Sequence, residues 1–140
     1  MQLSAKTQNA CLAMIELARR HSNPQPVCLK TIAEEQKISS QFLVQILLQL
    51  KRGGLVQSTR GASGGYRLAR DPFSISLLEI IQAIEGVGES ALATNATAAA
   101  GILHETWNEV TEAHFERLSA ITLASLADRI PSRSGDMYYI

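Results

Sequence analysis

The chain has little cysteine, and what it has forms no metal-binding or disulfide pattern. Cys11 and Cys28 are the two thiols in 140 residues. Their spacing matches neither a zinc site nor a disulfide framework, and thiols of intracellular proteins are normally reduced. Long hydrophobic runs are also missing: apolar stretches are short and interrupted by polar residues. That pattern argues against a membrane-spanning helix, and the amino terminus offers no run long enough for a signal peptide, so a cytoplasmic protein is expected. There is no Ser-His-acid set, no pair of carboxylates placed for acid–base work and no nucleotide-type phosphate loop, so an enzyme is not expected. No internal repeat is found. What remains is an ordinary globular composition, 46% hydrophobic, enough for one compact domain and an appended element.

Net charge is zero over the whole chain, yet the two halves differ. Residues 1–70 hold ten Lys or Arg against three acidic residues, about +7, and residues 71–140 hold three against ten, about −7, which together account for the 13 and 13 of the chain. The first half suits a polyanion. The second would be repelled by one, and is suited to self-association or ligand binding.

Helical periodicity organises the first half. Ser4 is an N-cap candidate for a helix over about 4–20, with Cys11, Met14, Ile15 and Ala18 on one face. Asn23-Pro24-Gln25-Pro26 stops it. A short helix over 29–36 follows, with Ile32 and Ala33 inward, then a turn at Lys37-Ile38-Ser39. Ser39 or Ser40 caps a further helix whose buried stripe is Leu43, Ile46, Leu47 and Leu50, ended by Gly53-Gly54. Residues 55–69 read as two short strands around a glycine-rich turn carrying Arg60, with Gly61, Gly64 and Gly65 expected at positive φ and so able to bring the backbone against a nucleic-acid phosphate. This order is that of a winged helix-turn-helix. Beyond Asp71-Pro72, Ser76 and Glu79 form a capping box ahead of a helix ending at Gly86. Residues 86–101 read as a loop whose alanines also favour a helical turn. From Ile102 to about Asp128, one long amphipathic helix is expected, with Leu103, Trp107, Val110, Leu118 and Ile121 on a heptad-like stripe. Residues 131–140 carry no core pattern.

These readings define candidate DNA contacts. Subtracting the buried stripe of the recognition helix leaves Gln41, Val44, Gln45 and Gln49 outward. Glutamine can bond adenine N6 and N7 in the major groove, while Ser39, Ser40 and the helix amino terminus suit phosphates. Lys6, Lys51, Arg52, Arg60 and Arg67 are candidate phosphate partners, and Arg60 is placed for the minor groove.

The segments Met1-Gln-Leu-Ser-Ala-Lys6, Leu29-Lys-Thr-Ile-Ala33, Arg60-Gly-Ala-Ser-Gly-Gly-Tyr66 and Leu77-Leu-Glu-Ile-Ile-Gln-Ala-Ile-Glu-Gly86 resemble the Rrf-two family of bacterial transcription regulators, with its IscR, NsrR and CymR branches. The resemblance covers nearly the whole chain and adds Tyr66 to the wing contacts. It implies a mainly α fold with a small β-hairpin wing, divided as a DNA-binding domain (1–85), an effector-type loop (86–101), a dimerisation helix (102–130) and a flexible tail (131–140). It further implies a homodimeric repressor on a pseudo-palindromic operator in double-stranded DNA. Two departures from the family pattern stand out: Thr7-Gln8-Asn9 replaces Gly-Arg-Tyr after the first lysine, which weakens a phosphate contact there, and Val44 stands where many relatives carry Glu, so operator preference does not carry over.

Cluster-binding members of that family place three cysteines in the loop before the long helix. This chain has Glu89, Asn95 and Gly101 near those positions, which cannot serve as thiolate ligands, so no cofactor is expected. His104 and His114, ten residues apart on one helix, are not neighbours, and no metal site is expected. Cys28, just ahead of the helix-turn-helix, is a candidate thiol switch. The tail Gly135-Asp-Met-Tyr-Tyr-Ile140 is similar to the end of the CymR branch. It also resembles the isoleucine-ended tail by which serine acetyltransferase enters O-acetylserine sulfhydrylase (cysteine synthase). The resemblance implies that Tyr138, Tyr139 and Ile140 bind that enzyme, with control of cysteine or sulfur genes as the consequence. The alternatives are a thiol- or metal-responsive regulator, or an interaction protein that does not bind DNA and inhibits an enzyme through its tail.

Overall fold

The computed structural model describes residues 2–86 and 97–131. Helix α1 (Ala5–Arg19) begins where the Ser4 side chain accepts the Thr7 amide, as the N-cap pattern predicts. Helix α2 (Leu29–Gln36) ends at Lys37, whose φ of 56° is left-handed. A non-glycine residue costs on the order of 1 kcal/mol there, and this conformation reverses the chain into α3 (Ser40–Arg52), capped by Ser39. The expected stripe is buried: Leu43, Ile46, Leu47 and Leu50 are fully inaccessible.

The hairpin is made of β1 (Val56–Thr59) and β2 (Gly65–Leu68), antiparallel with Val56 opposite Leu68 and Thr59 opposite Gly65. A third backbone segment joins it, because Val27 and Tyr66 exchange both amide–carbonyl bonds at 2.8 Å. A 3-10 turn at Pro72–Ser74 leads to α4 (Leu77–Glu85). The Ser76–Glu79 capping box forms in both directions.

The carboxy-terminal helix differs from expectation. It starts earlier, as α5 (Ala98–Ala120), and stops at Ile121, which is extended; a separate α6 (Leu123–Asp128) follows. The break has a non-local cause. Leu77 donates its amide to the Ile121 carbonyl at 2.9 Å, and Leu123 donates to Ile75 at 2.8 Å. Three residues are thereby drawn into a bridge with 75–77, and Thr122 caps α6. Leu123 then enters the core formed by α1, α3 and α4, fully buried with Met14, Leu17 and Ile80. Of the 86–101 stretch, residues 98–101 belong to α5 and 87–96 lie outside the described residues, as does the tail from 132, including Tyr138, Tyr139 and Ile140.

Two ties orient these elements. Glu85, at the end of α4, accepts the Thr7 hydroxyl at 2.8 Å and the Ser4 hydroxyl at 3.2 Å, locking α4 to the start of α1. Glu16, buried in α1, accepts from Arg19, Arg20 and Gln36, linking α1 to α2. A buried carboxylate is tolerated only with such partners.

Candidate nucleic-acid interface

Successive residues of a helix step about 100°, so Gln41, Val44, Gln45 and Leu48 share one face of α3, opposite the buried stripe. All four are exposed. Ser39 spends its side chain on capping, and Ser40 is exposed in the first turn. Gln49 departs from the expected outward position: it is half-buried, and its Oε1 is buried with no hydrogen-bond partner among the described residues. At roughly 80° from Gln41 on the helical wheel, it falls at the margin between the exposed face and the core.

The wing adjoins this helix through a side-chain bond, Lys51 Nζ donating to Ser58 Oγ of β1 at 2.8 Å. Arg52, Arg60 and Arg67 are exposed, Arg60 at the start of the turn and Arg67 on β2. Lys6 is half-buried in the first turn of α1. Its neighbours in sequence, Ser4 and Thr7, are those tied to Glu85.

The wing glycines have two different roles, which corrects the expectation that all reach positive φ. Gly61 does, at 107°, and a Cβ there would meet nothing within 4 Å among the described residues. Gly64 and Gly65 do not. A Cβ on Gly64 would lie 2.2 Å from the Thr59 carbonyl oxygen, and one on Gly65 would lie 2.3 Å from that of Val27. They are glycines because backbone comes too close for any side chain. Tyr66 is half-buried and packed on the core, so it anchors the wing at the Val27 bridge.

Cys28 is exposed at the N-cap of α2, on the rim of a cleft of about 240 Å³ whose other wall includes Ser63 and Gly64 of the wing turn. Its Sγ shares a 3.0 Å hydrogen bond with Thr31. The Thr31 hydroxyl, helped by backbone amides of the first turn, holds the thiol below its ordinary pKa. Cys11 is the opposite case: burial, with a smaller contribution from the Glu85 charge, pushes it up to about 11.

On α5 no residue is buried over 23 positions. Leu103, Trp107 and Val110 are 57%, 50% and 53% exposed. Trp107, Val110 and Leu118 line an apolar groove of about 460 Å³ against Leu77, Leu78 and Ile81 of α4, with Leu3 at its edge. Ile121, expected on the same stripe, is turned out of the helix by its bond to Leu77. His104 is exposed, whereas His114 lies in the groove, its ring 6.4 Å from that of Phe115.

The donor set does not fit a thiolate-held iron–sulfur cluster, which takes four cysteines or a mixed cysteine–histidine set. The chain has two, one buried in mid-α1 and one exposed at α2, and among the described residues no group of three or more metal-ligating side chains converges. Nor is any helix of the described residues long and apolar enough to cross a membrane.

The family described as Rrf2, iron-dependent transcriptional regulator, matches residues 3–129. A relative, the HTH-type transcriptional regulator IscR of Vibrio vulnificus, is 36% identical over 130 residues, covering 90% of this chain and 77% of its own. Among solved structures, CymR, the global cysteine regulator of B. subtilis, is 34% identical with a TM-score of 0.82, covering 94% of this chain and 99% of that one. An oxidized form of Staphylococcus aureus CymR is 30% identical with a TM-score of 0.74, covering 94% and 100%. With a winged helix-turn-helix, a carboxy-terminal helix and a family match over nearly its full length, the chain belongs to the Rrf2 (Rrf-two) family and is a DNA-binding transcription regulator.

Proposed function

We propose that the protein is a homodimeric repressor that sets two winged helices on a pseudo-palindromic operator. In this reading α3 enters the major groove, Arg60 reaches the adjacent minor groove, and Lys51, Arg52, Arg67 and Lys6 neutralise phosphates. The supporting observation is the juxtaposition of an exposed cationic hairpin with the exposed face of α3, tied by Lys51 and Ser58. Dimerisation is supported by α5, where Leu103, Trp107 and Val110 each leave half or more of their surface to solvent. Covering them contributes on the order of 1 kcal/mol per side chain. Fluorescence anisotropy with duplex DNA at several salt concentrations tests the contact. Arg60→Ala is expected to lower affinity about tenfold and to flatten the salt dependence by about one counterion per protomer; unchanged affinity and slope would remove the wing from the interface. Sedimentation of Val110→Glu, expected to be a monomer, tests the pairing.

The regulated genes are those of cysteine or sulfur metabolism in this proposal. It is supported by the likeness to CymR and by the Tyr138-Tyr139-Ile140 sequence, with O-acetylserine sulfhydrylase (cysteine synthase) as partner. Deleting Tyr139 and Ile140 is expected to abolish capture of that enzyme; undiminished capture would discard the partner. A second input is supported by Cys28, whose exposure, lowered pKa and place beside the wing turn suit oxidation that would alter the wing. Peroxide is then expected to change DNA affinity in the native chain and not in Cys28→Ser.

A further inference from the structure

Between Lys37 and Lys51 the chain has no charged side chain. The whole face of α3 available to base edges is therefore neutral: Gln41 and Gln45 one turn apart, and Val44 and Leu48 one turn apart, the latter two each 42% exposed. The cations begin only at the end of the helix and continue along the wing. A guanine in the major groove offers two acceptors, read most often by Arg or Lys, and cytosine offers an amino group read by a carboxylate. Adenine suits the two-way amide of glutamine, and thymine alone projects a methyl group that takes apolar contact.

We infer that this face reads A·T pairs, with Gln41 and Gln45 bonding adenine and Val44 and Leu48 covering thymine methyls. It makes no selection for G·C. The inference rests on the reading that α3 enters the major groove, and it names what is read there. Charge complementarity fixes the occupant as duplex DNA: the flanking Lys51, Arg52 and Arg67 meet phosphates and Arg60 the minor groove, while the neutral face meets bases. The departure at Val44 acquires a role in this arrangement, since a carboxylate in its place would reject a thymine methyl and favour cytosine.

The full-length protein is used to select sites from a random duplex library, and each thymine of the selected half-site is then replaced in turn by uracil. That replacement removes the C5 methyl and leaves base pairing and the minor groove intact, so contacts made by the wing are not affected. The expected result is A·T enrichment in each half-site and a loss of about fourfold in affinity per methyl removed at one or two positions. The loss should disappear in Val44→Ala or Leu48→Ala, which are helix-compatible exposed substitutions. Salt-dependent binding with uracil neutral at every position, or with half-sites defined by G·C pairs sensitive to Gln41→Ala and Gln45→Ala, would overturn the inference and leave the DNA-binding reading standing. Absence of salt-dependent binding to any duplex would overturn both.

Discussion

Replacing Gly65 by alanine asks whether the wing is held by backbone contact or by its own turn. The added Cβ would stand 2.3 Å from the Val27 oxygen, 2.5 Å from its carbonyl carbon and 2.9 Å from the Cys28 nitrogen. All three are backbone atoms, so no side chain can rotate away. The hairpin must separate from the 27–28 segment, and both 2.8 Å bonds between Val27 and Tyr66 go with it. Two net hydrogen bonds at about 1 kcal/mol each, with some overpacking strain, give a loss of about 2–4 kcal/mol. In urea, with a slope of about 1–3 kcal/mol/M, the midpoint should fall by roughly 1–2 M at fixed protein concentration. Gly61→Ala is the comparison. Its added Cβ meets no atom of the described residues within 4 Å, and the φ of 107° imposes only a local backbone penalty of about 1 kcal/mol. Gly65→Ala should therefore lose more stability than Gly61→Ala. It should also bind DNA more weakly, because Arg60 is displaced along with the hairpin. A Gly65→Ala midpoint within about 0.3 M of the native value would refute the claim that the Val27 bridge positions the wing.

Glu85→Ala leaves the fully buried Thr7 hydroxyl without its acceptor in α4. A loss of about 1–2 kcal/mol is expected in urea unfolding, and an unchanged midpoint would show that the α1–α4 tie contributes nothing. With iodoacetamide near pH 8, mass spectrometry should find Cys28 alkylated quickly. Cys11, buried and with its pKa raised to about 11, should remain unmodified until the chain unfolds; equal labelling in the native state would contradict the burial. Burial pushes the Glu79 carboxyl up, but the Ser76 amide and then Arg70, at 2.9 and 3.0 Å, outweigh it and hold it below its ordinary pKa. Because the folded value is the lower one, this contribution is fully present above the ordinary glutamate range near ~4.3 and is lost as pH falls through the folded value. Carboxyl NMR should show the Glu79 titration move upward in Arg70→Ala, and no movement would remove Arg70 from the cause.

Most of the helical framework was legible because its signals are local. The stripe Leu43, Ile46, Leu47 and Leu50, the Ser4 and Ser39 caps and the Ser76–Glu79 box all involve residues three or four apart, a spacing that any α-helix brings together. The hairpin was legible from its glycine-rich turn between two short strands, and the outward placement of Gln41, Val44 and Gln45 from the same helical spacing. The helix boundary at Ile121 was not: the apolar periodicity continues through it, while the bonds that stop the helix come from residues 75–77.

The sequence by itself determined which segments are helical or hairpin and which faces are apolar, since those depend on dihedral preference and side-chain spacing along one chain. Only the tertiary structure decided why Gly64 and Gly65 carry no side chain, and that Tyr66 anchors rather than projects. The same holds for the tie from Glu85 to α1, the burial of the Gln49 oxygen and the return of Leu123 to the core. Most of these depend on the approach of atoms from segments tens of residues apart, and excluded volume and hydrogen-bond geometry at such meetings leave no periodic trace in the sequence.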